Sequence, residues 1–193
     1  MSERAFGSKV PGPGPHPVVV NVHGSGRITR KDHWANAMAR VFLAEGYAVF
    51  LYDKRGVGDS AGEYVGRGGR DTNNVSRENL DRLSGDAVAA ATMLSERKDI
   101  DAARVGLVGL SQAGRIIPLA AKKSKAVRFF VRMKKNHPFE AIVVPGAGHE
   151  LFQVRSDSED ELLVSSGVSS SALDSLRSWL ARRASQSMMN ARR

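Results

Sequence analysis

The sequence predicts an α/β fold in which helices flank a mostly parallel sheet. Short runs of β-branched and aromatic residues alternate along the chain with amphipathic segments whose apolar residues recur at helical spacing. Strands that alternate with helices in this way form βαβ units, and these units place neighbouring strands parallel. In such sheets the chemistry lies beyond the C-terminal ends of the strands. The residues that directly follow each predicted strand are therefore the first candidates for a functional site.

Length and composition predict one globular domain. The 193 residues contain no cysteine, which excludes disulfide scaffolds, thiolate metal sites and cysteine nucleophiles. We expect an N-terminal lead-in at 1–16, a single domain at 17–184 and a basic tail at 185–193. No apolar run approaches the ~18 residues of a membrane span. No secretory signal is visible at the N-terminus, so a cytoplasmic protein is expected.

The net charge of +9 raises the question of a nucleic-acid partner. Aromatic residues make up 6% of the chain, and only Phe129 and Phe130 lie inside a basic cluster. A stacking platform for single strands would need more aromatic side chains. We therefore interpret the charge as a solvated basic surface and do not expect a nucleic-acid partner.

The first half of the chain predicts two buried strands and a helix. The run at 17–22 is apolar apart from Asn21, which is typical of a strand covered on both faces, and it ends at the glycine loop His23-Gly24-Ser25-Gly26. A helix follows, with Asp32 as its N-cap and Gly46 as its C-terminal stop. The second strand is predicted at 47–52. The remaining predicted elements are a loop at 54–74, helices at 76–97, 112–123 and 171–184, and strands at 104–110, 126–131 and 141–144.

The strongest chemical signal is the run Gly109-Leu110-Ser111-Gln112-Ala113-Gly114. It follows a predicted buried strand and opens a predicted helix, which is the context of a G-x-S-x-G nucleophile elbow. The neighbours of the serine must be small for strand and helix to close, and Ala113 occupies the second glycine position. The helix N-terminus would supply amide donors and a positive dipole. The alternative interpretation is an ordinary strand–helix turn in which Ser111 caps the helix.

Two further loops fall where partners of Ser111 are needed. His149 ends a glycine loop after the strand predicted at 141–144, so its imidazole could reach over the sheet edge and serve as the base for Ser111. The alternative is a solvated loop histidine. The glycines of the His23-Gly24-Ser25-Gly26 loop would let backbone amides approach an oxyanion, although a loop that merely requires positive φ would have the same composition.

In this order along the chain, the motifs resemble the α/β-hydrolase superfamily over roughly 15–184, with patterns nearest the serine esterase and proline-aminopeptidase-like branches. The resemblance matches four loops: His23-Gly24-Ser25-Gly26 to the oxyanion loop, 53–60 to the D-x-R-G-x-G-x-S loop, 109–114 to the elbow and 145–149 to the histidine loop.

This resemblance assigns a role to each of the candidate residues. It implies Ser111 as nucleophile, His149 as base, and the amides of Ser25 and Gln112 as the oxyanion hole. It also implies structural roles for Asp53 and Arg55.

The expected catalytic acid has no evident counterpart. The family order is Ser, Asp or Glu, then His. Between Ser111 and His149 the only carboxylate is Glu140, which lies about 16 Å along a strand from Pro145 and so at the wrong end of the sheet. We therefore expect a reduced α/β-hydrolase fold that lacks the cap domain and the acid-bearing strand. Surrogate acids occur after His149, outside the family order: Glu150, Asp157, Glu159, Asp160 and Glu161. The run at 156–161 is interpreted as a solvated acidic loop, and the alternative is that Asp157 or Asp160 folds back to orient His149.

The leading functional hypothesis is a serine hydrolase of short-chain carboxylic esters that works through an acyl-enzyme. Two alternatives remain: a peptidase or amidase of the same superfamily, and an impaired hydrolase remnant that acts as a binding module. No cofactor or metal is implied, since neither a dinucleotide fingerprint, nor a P-loop, nor ligand spacing of histidines is present. A sheet edge left bare by the missing strands would favour a homodimer.

Overall fold

The computed structural model describes residues 13–66 and 73–127 together with Asp174, Arg177 and Ser178. The chain divides into two compact units, Met1–His137 and Pro138–Arg193. In the second unit the three described residues are helical, and the Arg177 guanidinium lies 3.2 Å from the Asp174 carboxylate. No helix among the described residues is long and apolar enough to cross a membrane.

The first unit contains a parallel sheet of three strands within the described residues. These are β1 (His16–Val22), β2 (Ala48–Phe50) and β3 (Ile100–Gly109), in the spatial order β2-β1-β3. Both pairings are parallel, and Val22 is in register with Gly109 at the C-terminal ends of β1 and β3. The structure thus confirms the predicted α/β class with a parallel sheet. It also brings the loops after β1 and β3 side by side.

The central strand β1 is buried on both faces, as its sequence predicts. Every residue from Pro17 to Val22 is buried. Val18, Val20 and Val22 alternate along the strand and join one hydrophobic core with the helices that follow β2 and β3. Because side chains alternate across a strand, Val19 and Asn21 point to the opposite face. His23, the residue directly after β1, is buried as well.

Among the described residues of the first unit, three helices pack with the strands: α1 (His33–Ala44), α2 (Arg77–Ser95) and α3 (Ala113–Lys123). The predicted N-cap of α1 is confirmed, since Asp32 accepts a hydrogen bond from the Ala35 N–H at 3.0 Å. Ser76 caps α2 in the same way at 3.2 Å from the Asn79 nitrogen. A side-chain cap of this kind stabilises a helix by about 1 kcal/mol.

The predicted element boundaries differ from the structure at β3. This strand begins at Ile100, before the predicted start at 104, because the segment pairs with β1 through a register irregularity near His16. Residues 102–104 are exposed, so the sequence there shows no buried-strand pattern.

The remaining boundary differences lie at β2, in the predicted loop and after α3. β2 is shorter than 47–52, since only Ala48–Phe50 pair with β1. A short 3-10 turn at Asn73–Val75 ends the predicted loop.

After α3, Ala126 lies in a turn, so the strand predicted at 126–131 does not begin there. The rest of that segment and the strand predicted at 141–144 lie outside the described residues.

Candidate active site

Ser111 occupies a strained turn between β3 and α3. Its φ is +59°, the one positive φ of a non-glycine residue within the described segments. The left-handed region costs a residue with a side chain of order 1–3 kcal/mol and persists only where the surroundings enforce it. Ser111 is exposed, whereas Gln112 and Ala113 after it are buried. The turn therefore has the strained geometry predicted for a nucleophile elbow and presents its hydroxyl-bearing residue to solvent.

The residues around this turn are small because strand and helix meet there. A Cβ placed on Gly109 would overlap both the Val22 carbonyl oxygen and the Ala113 methyl group. Ala113 is fully buried at the start of α3. By contrast, a Cβ on Gly114 would meet nothing within 4 Å. Packing thus requires glycine at position 109 and accommodates alanine at 113, the second glycine position of the motif. It places no steric demand on Gly114.

The glycine loop after β1 runs alongside the elbow. A Cβ on Gly24 would lie 3.2 Å from the Leu110 carbonyl oxygen and 3.6 Å from the Ser111 Cβ. Within the described part of the chain, neither the Ser25 N–H nor the Gln112 N–H has a hydrogen-bond acceptor. Two backbone donors on adjacent loops are what an oxyanion hole requires. Gly26, with φ +99°, supplies the left-handed conformation that turns this loop back.

Asp53 organises the loop after β2. Its carboxylate is buried and accepts the backbone N–H groups of Arg30 at 2.8 Å and Asp59 at 3.0 Å, and the Arg30 guanidinium also contacts it. Burial acts to raise the pKa of Asp53, but these N–H groups and the Arg30 charge together lower it. The Ser60 hydroxyl donates to the Asp53 carbonyl oxygen at 2.6 Å. These contacts are those of a residue that holds a loop in shape.

Arg55 ties the same loop to α2. Its Nε donates to Asp86 at 2.9 Å, and a second guanidinium nitrogen contacts the other carboxylate oxygen, so the pair is bidentate. Such a geometry fixes both the distance and the plane of the two groups. Gly58 is required here too, because a Cβ at its φ of +56° would overlap the Asp53 carboxylate.

Lys54 lies between the glycine loop after β1 and the elbow after β3, and it is almost fully buried, with 2% of its surface exposed. Its ammonium donates to the Gly24 carbonyl oxygen at 2.8 Å and to Gln112 Oε1 at 2.7 Å. Burial lowers the pKa of Lys54 to about 8. No ion pair of Lys54 with a carboxylate occurs among the described residues. We did not predict a role for this lysine. The available signal was its position directly after a buried strand, where parallel sheets carry their chemistry.

Asn74 forms hydrogen bonds to the glycine loop after β1, to the elbow and to α2. Its carbonyl oxygen accepts the Gln112 side-chain amide and, at 2.9 Å, Asn79 Nδ2 from α2. Its own side chain donates to Ser25 Oγ at 3.2 Å. Gln112 is therefore held from two sides, by Lys54 and by Asn74, while Ser25 is held through its hydroxyl.

His23, the first residue after β1, is buried against Tyr52, with ring centroids 4.3 Å apart. Burial is the main cause that lowers the pKa of His23 to about 4, and the positive charge of the nearby Lys54 ammonium lowers it further. The ring is therefore neutral at physiological pH. His23 serves as a packed residue under the loop and adds no positive charge beside Lys54.

Of the predicted site residues, the structure brings Ser111, Gln112 and Ser25 to one edge of the sheet. This follows from the register of β1 with β3, whose ends lie side by side. His149 lies outside the described residues, as do Glu140 and the acidic run that includes Asp157 and Asp160. The roles assigned to these residues stay predictions.

A strained serine at the end of a parallel strand, beside a glycine loop at the end of its neighbour, matches the nucleophile elbow and oxyanion loop of an α/β hydrolase. The family described as X-Pro dipeptidyl-peptidase (S15 family) matches residues 10–188. The chain belongs to that family.

Solved structures with a similar fold include three hydrolases. The esterase Pf2001 of Pyrococcus furiosus is 22% identical with a TM-score of 0.45 and is matched over 59% of this chain and 40% of its own. The α/β hydrolase GrgF of Penicillium sp. sh18 is 24% identical with a TM-score of 0.45, over 60% and 36%. The acetyl xylan esterase of Paenibacillus sp. R4 is 24% identical with a TM-score of 0.45, over 60% and 38%.

The chain thus spans well under half the length of each of these three proteins. No protein of curated function matches it.

Proposed function

We propose that the protein is a serine hydrolase that cleaves short-chain carboxylic esters through an acyl-enzyme on Ser111. The observation that carries the proposal is the left-handed, exposed Ser111 between β3 and α3. Strain of this kind persists where a side chain must be held in a particular direction. A turn in which the serine merely capped α3 would not need it, and the N-cap residue of α3 is Gln112 rather than Ser111.

The proposed reaction has two symmetrical halves. In the first, Ser111 Oγ attacks the acyl carbon while His149 takes its proton. The C–O bond to the alcohol then breaks, and the alcohol leaves with that proton. In the second, water attacks the acyl-enzyme, gives a proton to His149, and the Ser111 oxygen recovers it as the carboxylic acid leaves. In both halves the amides of Ser25 and Gln112 would stabilise the tetrahedral oxyanion.

We favour esters over amides as substrates because the base, His149, is expected to be poorly oriented. Amide cleavage must protonate a poor leaving group, so it depends more strongly on a well-oriented histidine. Between Ser111 and His149 the only carboxylate is Glu140, which the strand geometry predicts to lie out of reach of His149. Short acyl chains are proposed because the interval before His149 is too short for a cap that could cover a long chain.

A second candidate is cleavage of X-Pro dipeptides from peptide N-termini. The specific observation in its favour is the family match over residues 10–188. The same Ser111 nucleophile and the same two amide donors would serve it. The two candidates differ in the leaving group and therefore in the demand on His149.

The test is active-site labelling followed by turnover on two substrates. A fluorophosphonate probe should label the parent and should not label Ser111→Ala. Ser95→Ala is the matched control, since the Ser95 hydroxyl donates to the Thr92 carbonyl in α2 and takes no part in the elbow. p-Nitrophenyl acetate reports ester cleavage, and Ala-Pro-p-nitroanilide reports dipeptidyl cleavage. Equal p-nitrophenyl acetate turnover by Ser111→Ala and the parent would overturn the proposal.

The two substrates also separate the candidates. Turnover of the acetate with little or no release from the anilide supports the esterase, and the reverse supports the peptidase. A parent that neither labels nor turns over either substrate would instead fit the third hypothesis, a remnant that acts as a binding module.

A further inference from the structure

The oxyanion loop and the elbow are joined through a single buried cation. Lys54 Nζ lies within hydrogen-bond distance of the Gly24 carbonyl oxygen and of Gln112 Oε1, which are 30 and 58 residues away along the chain. The Lys54 backbone N–H adds a third link, to the Ile28 carbonyl oxygen at 3.0 Å, so the lysine is held on the same loop by its main chain. Burying an ammonium is costly, and Lys54 pairs with no carboxylate within the part of the chain that the structure describes, so its burial needs a physical reason.

The bond to Gly24 determines the direction of the Ser25 N–H. The Gly24 carbonyl and the Ser25 N–H belong to one peptide unit, which is planar and here trans. In a trans unit the two groups point in opposite directions. While Lys54 holds the carbonyl, the Ser25 N–H must face away from the lysine. Gly24 has no Cβ to resist rotation of this unit, so the hydrogen bond supplies a restraint that the backbone lacks.

The bond to Gln112 anchors the other half of the same site. Gln112 Oε1 accepts from Lys54 and its side-chain nitrogen donates to the Asn74 carbonyl, so the amide group has one consistent orientation. The backbone N–H of the same residue is the second donor assigned to the oxyanion hole. One cation therefore holds the residues that carry both donors.

We propose that Lys54 is a positioning residue of the oxyanion hole, which orients the Gly24–Ser25 peptide and locks it to Gln112. The inference rests on the proposed function, since it assigns the purpose of the bridge to acyl transfer on Ser111. Lys54 itself does not touch substrate. Its loss leaves the nucleophile in place and removes the preorganisation of one or both amide donors.

The charged and titratable groups around Lys54 set how its effect depends on pH. His23 faces it from the end of β1, Asp53 precedes it, and the Tyr64 ring centroid lies 5.8 Å from its Nζ. With its pKa lowered to about 4, His23 stays neutral through the alkaline range, and the lowered pKa of Asp53 keeps that carboxylate ionised there. Burial lowers the pKa of Lys54 to about 8, so its charge is lost as the pH rises through that value. Hydrogen bonds from a neutral amine are weaker than those from an ammonium.

The experiment measures p-nitrophenyl acetate kinetics of Lys54→Met against pH. Removing one oxyanion donor typically costs about 100-fold or more in kcat, so we expect a kcat about 100-fold lower with little change in KM. The parent should lose kcat above about pH 8, and this alkaline limb should be absent from Lys54→Met. Lys122→Met, which removes an exposed lysine from α3, is the matched control and should behave as the parent.

Chemical rescue separates a positioning role from a merely structural one. The chain has no cysteine, so Lys54→Cys introduces a unique thiol. Aminoethylation of that thiol in the unfolded state, followed by refolding, rebuilds an ammonium at the same reach. We expect kcat to recover, with an alkaline limb at lower pH than in the parent because the sulfur makes the ammonium more acidic. This arm keeps the proposal testable if Lys54→Met does not fold. The parent taken through the same treatment is the control.

The outcomes distinguish this inference from the proposed function. An active parent whose kcat falls less than threefold in folded Lys54→Met, or whose alkaline limb persists in that variant, overturns the positioning role and leaves the hydrolase intact. Folded aminoethylated protein that recovers no activity also overturns the role. A parent that turns over neither substrate and resists labelling shows that the proposed function is wrong, and the role of Lys54 falls with it.

Discussion

Gly24 lies directly beside Ser111, so that a Cβ on the glycine would be 3.6 Å from the Cβ of the serine. The two residues are far apart in the chain and meet because β1 and β3 are parallel neighbours whose ends coincide at Val22 and Gly109. The contact brings the loop after β1, whose Ser25 N–H has no acceptor among the described residues, against a strained, exposed serine. The loop after β1 and the candidate nucleophile are thereby placed side by side.

We predict that Gly109→Ala destabilises the fold by about 3 kcal/mol, since the added methyl group would overlap the Val22 carbonyl oxygen and Ala113. Gly85→Ala is the matched control: Gly85 lies in α2 with open space around its Cβ position. That substitution should stabilise the protein by roughly 0.5–1 kcal/mol, because alanine favours a helix interior. Urea unfolding followed by circular dichroism measures both. Equal effects of the two substitutions would contradict the packing described at the elbow.

The loop after β2 should depend on Asp53 far more than on Asp59, although both carboxylates contact Arg30. Asp53→Asn should lower the free energy of unfolding by about 2 kcal/mol, because a neutral amide cannot satisfy two backbone N–H groups and a guanidinium equally well. Asp59→Asn should cost less than about 1 kcal/mol, because that side chain is 78% exposed. Chemical denaturation at pH 7 provides the comparison. A larger loss for Asp59→Asn would refute the assignment.

His23 should make the protein less stable in acid. The unfolded chain takes up this proton near the ordinary histidine pKa of 6.5, whereas the folded state takes it up only at about 4. The unfolded state therefore binds this proton first as the pH falls from 6.5 to 4, and the contribution of His23 to the free energy of unfolding should fall by roughly 3 kcal/mol over that window.

The measurement for His23 is the pH dependence of unfolding in two variants. His23→Gln cannot titrate there, so its stability relative to the parent should improve as the pH falls. His33→Gln, which changes an exposed histidine, is the control and should follow the parent curve. Parallel curves for His23→Gln and the parent would show that His23 is not buried as described.

The predicted His149 base should act without the carboxylate of Glu140. We expect Glu140→Gln to leave ester turnover within about twofold of the parent and His149→Gln to lower it by orders of magnitude. The acid limb of the kcat profile should fall near the ordinary histidine pKa of about 6.5, since no adjacent carboxylate is expected to raise it. Steady-state kinetics from pH 5 to pH 9 test both statements. A large loss in Glu140→Gln, or in Asp157→Asn or Asp160→Asn, would identify the missing acid.

The sequence by itself determined the elements and the position of the elbow. The valine-rich run of β1, the cap at Asp32 and the small residues around Ser111 are local patterns, and each matches the structure. The tertiary structure alone decided which loops meet. The start of β3 at Ile100 depends on its pairing with His16 in β1. A local stretch of sequence carries no information about a partner strand so far away along the chain. In the sequence alone, Lys54 is one of several charged residues in the loop predicted at 54–74. Its burial results from acceptors 30 and 58 residues away, which only the folded sheet brings within reach of one ammonium.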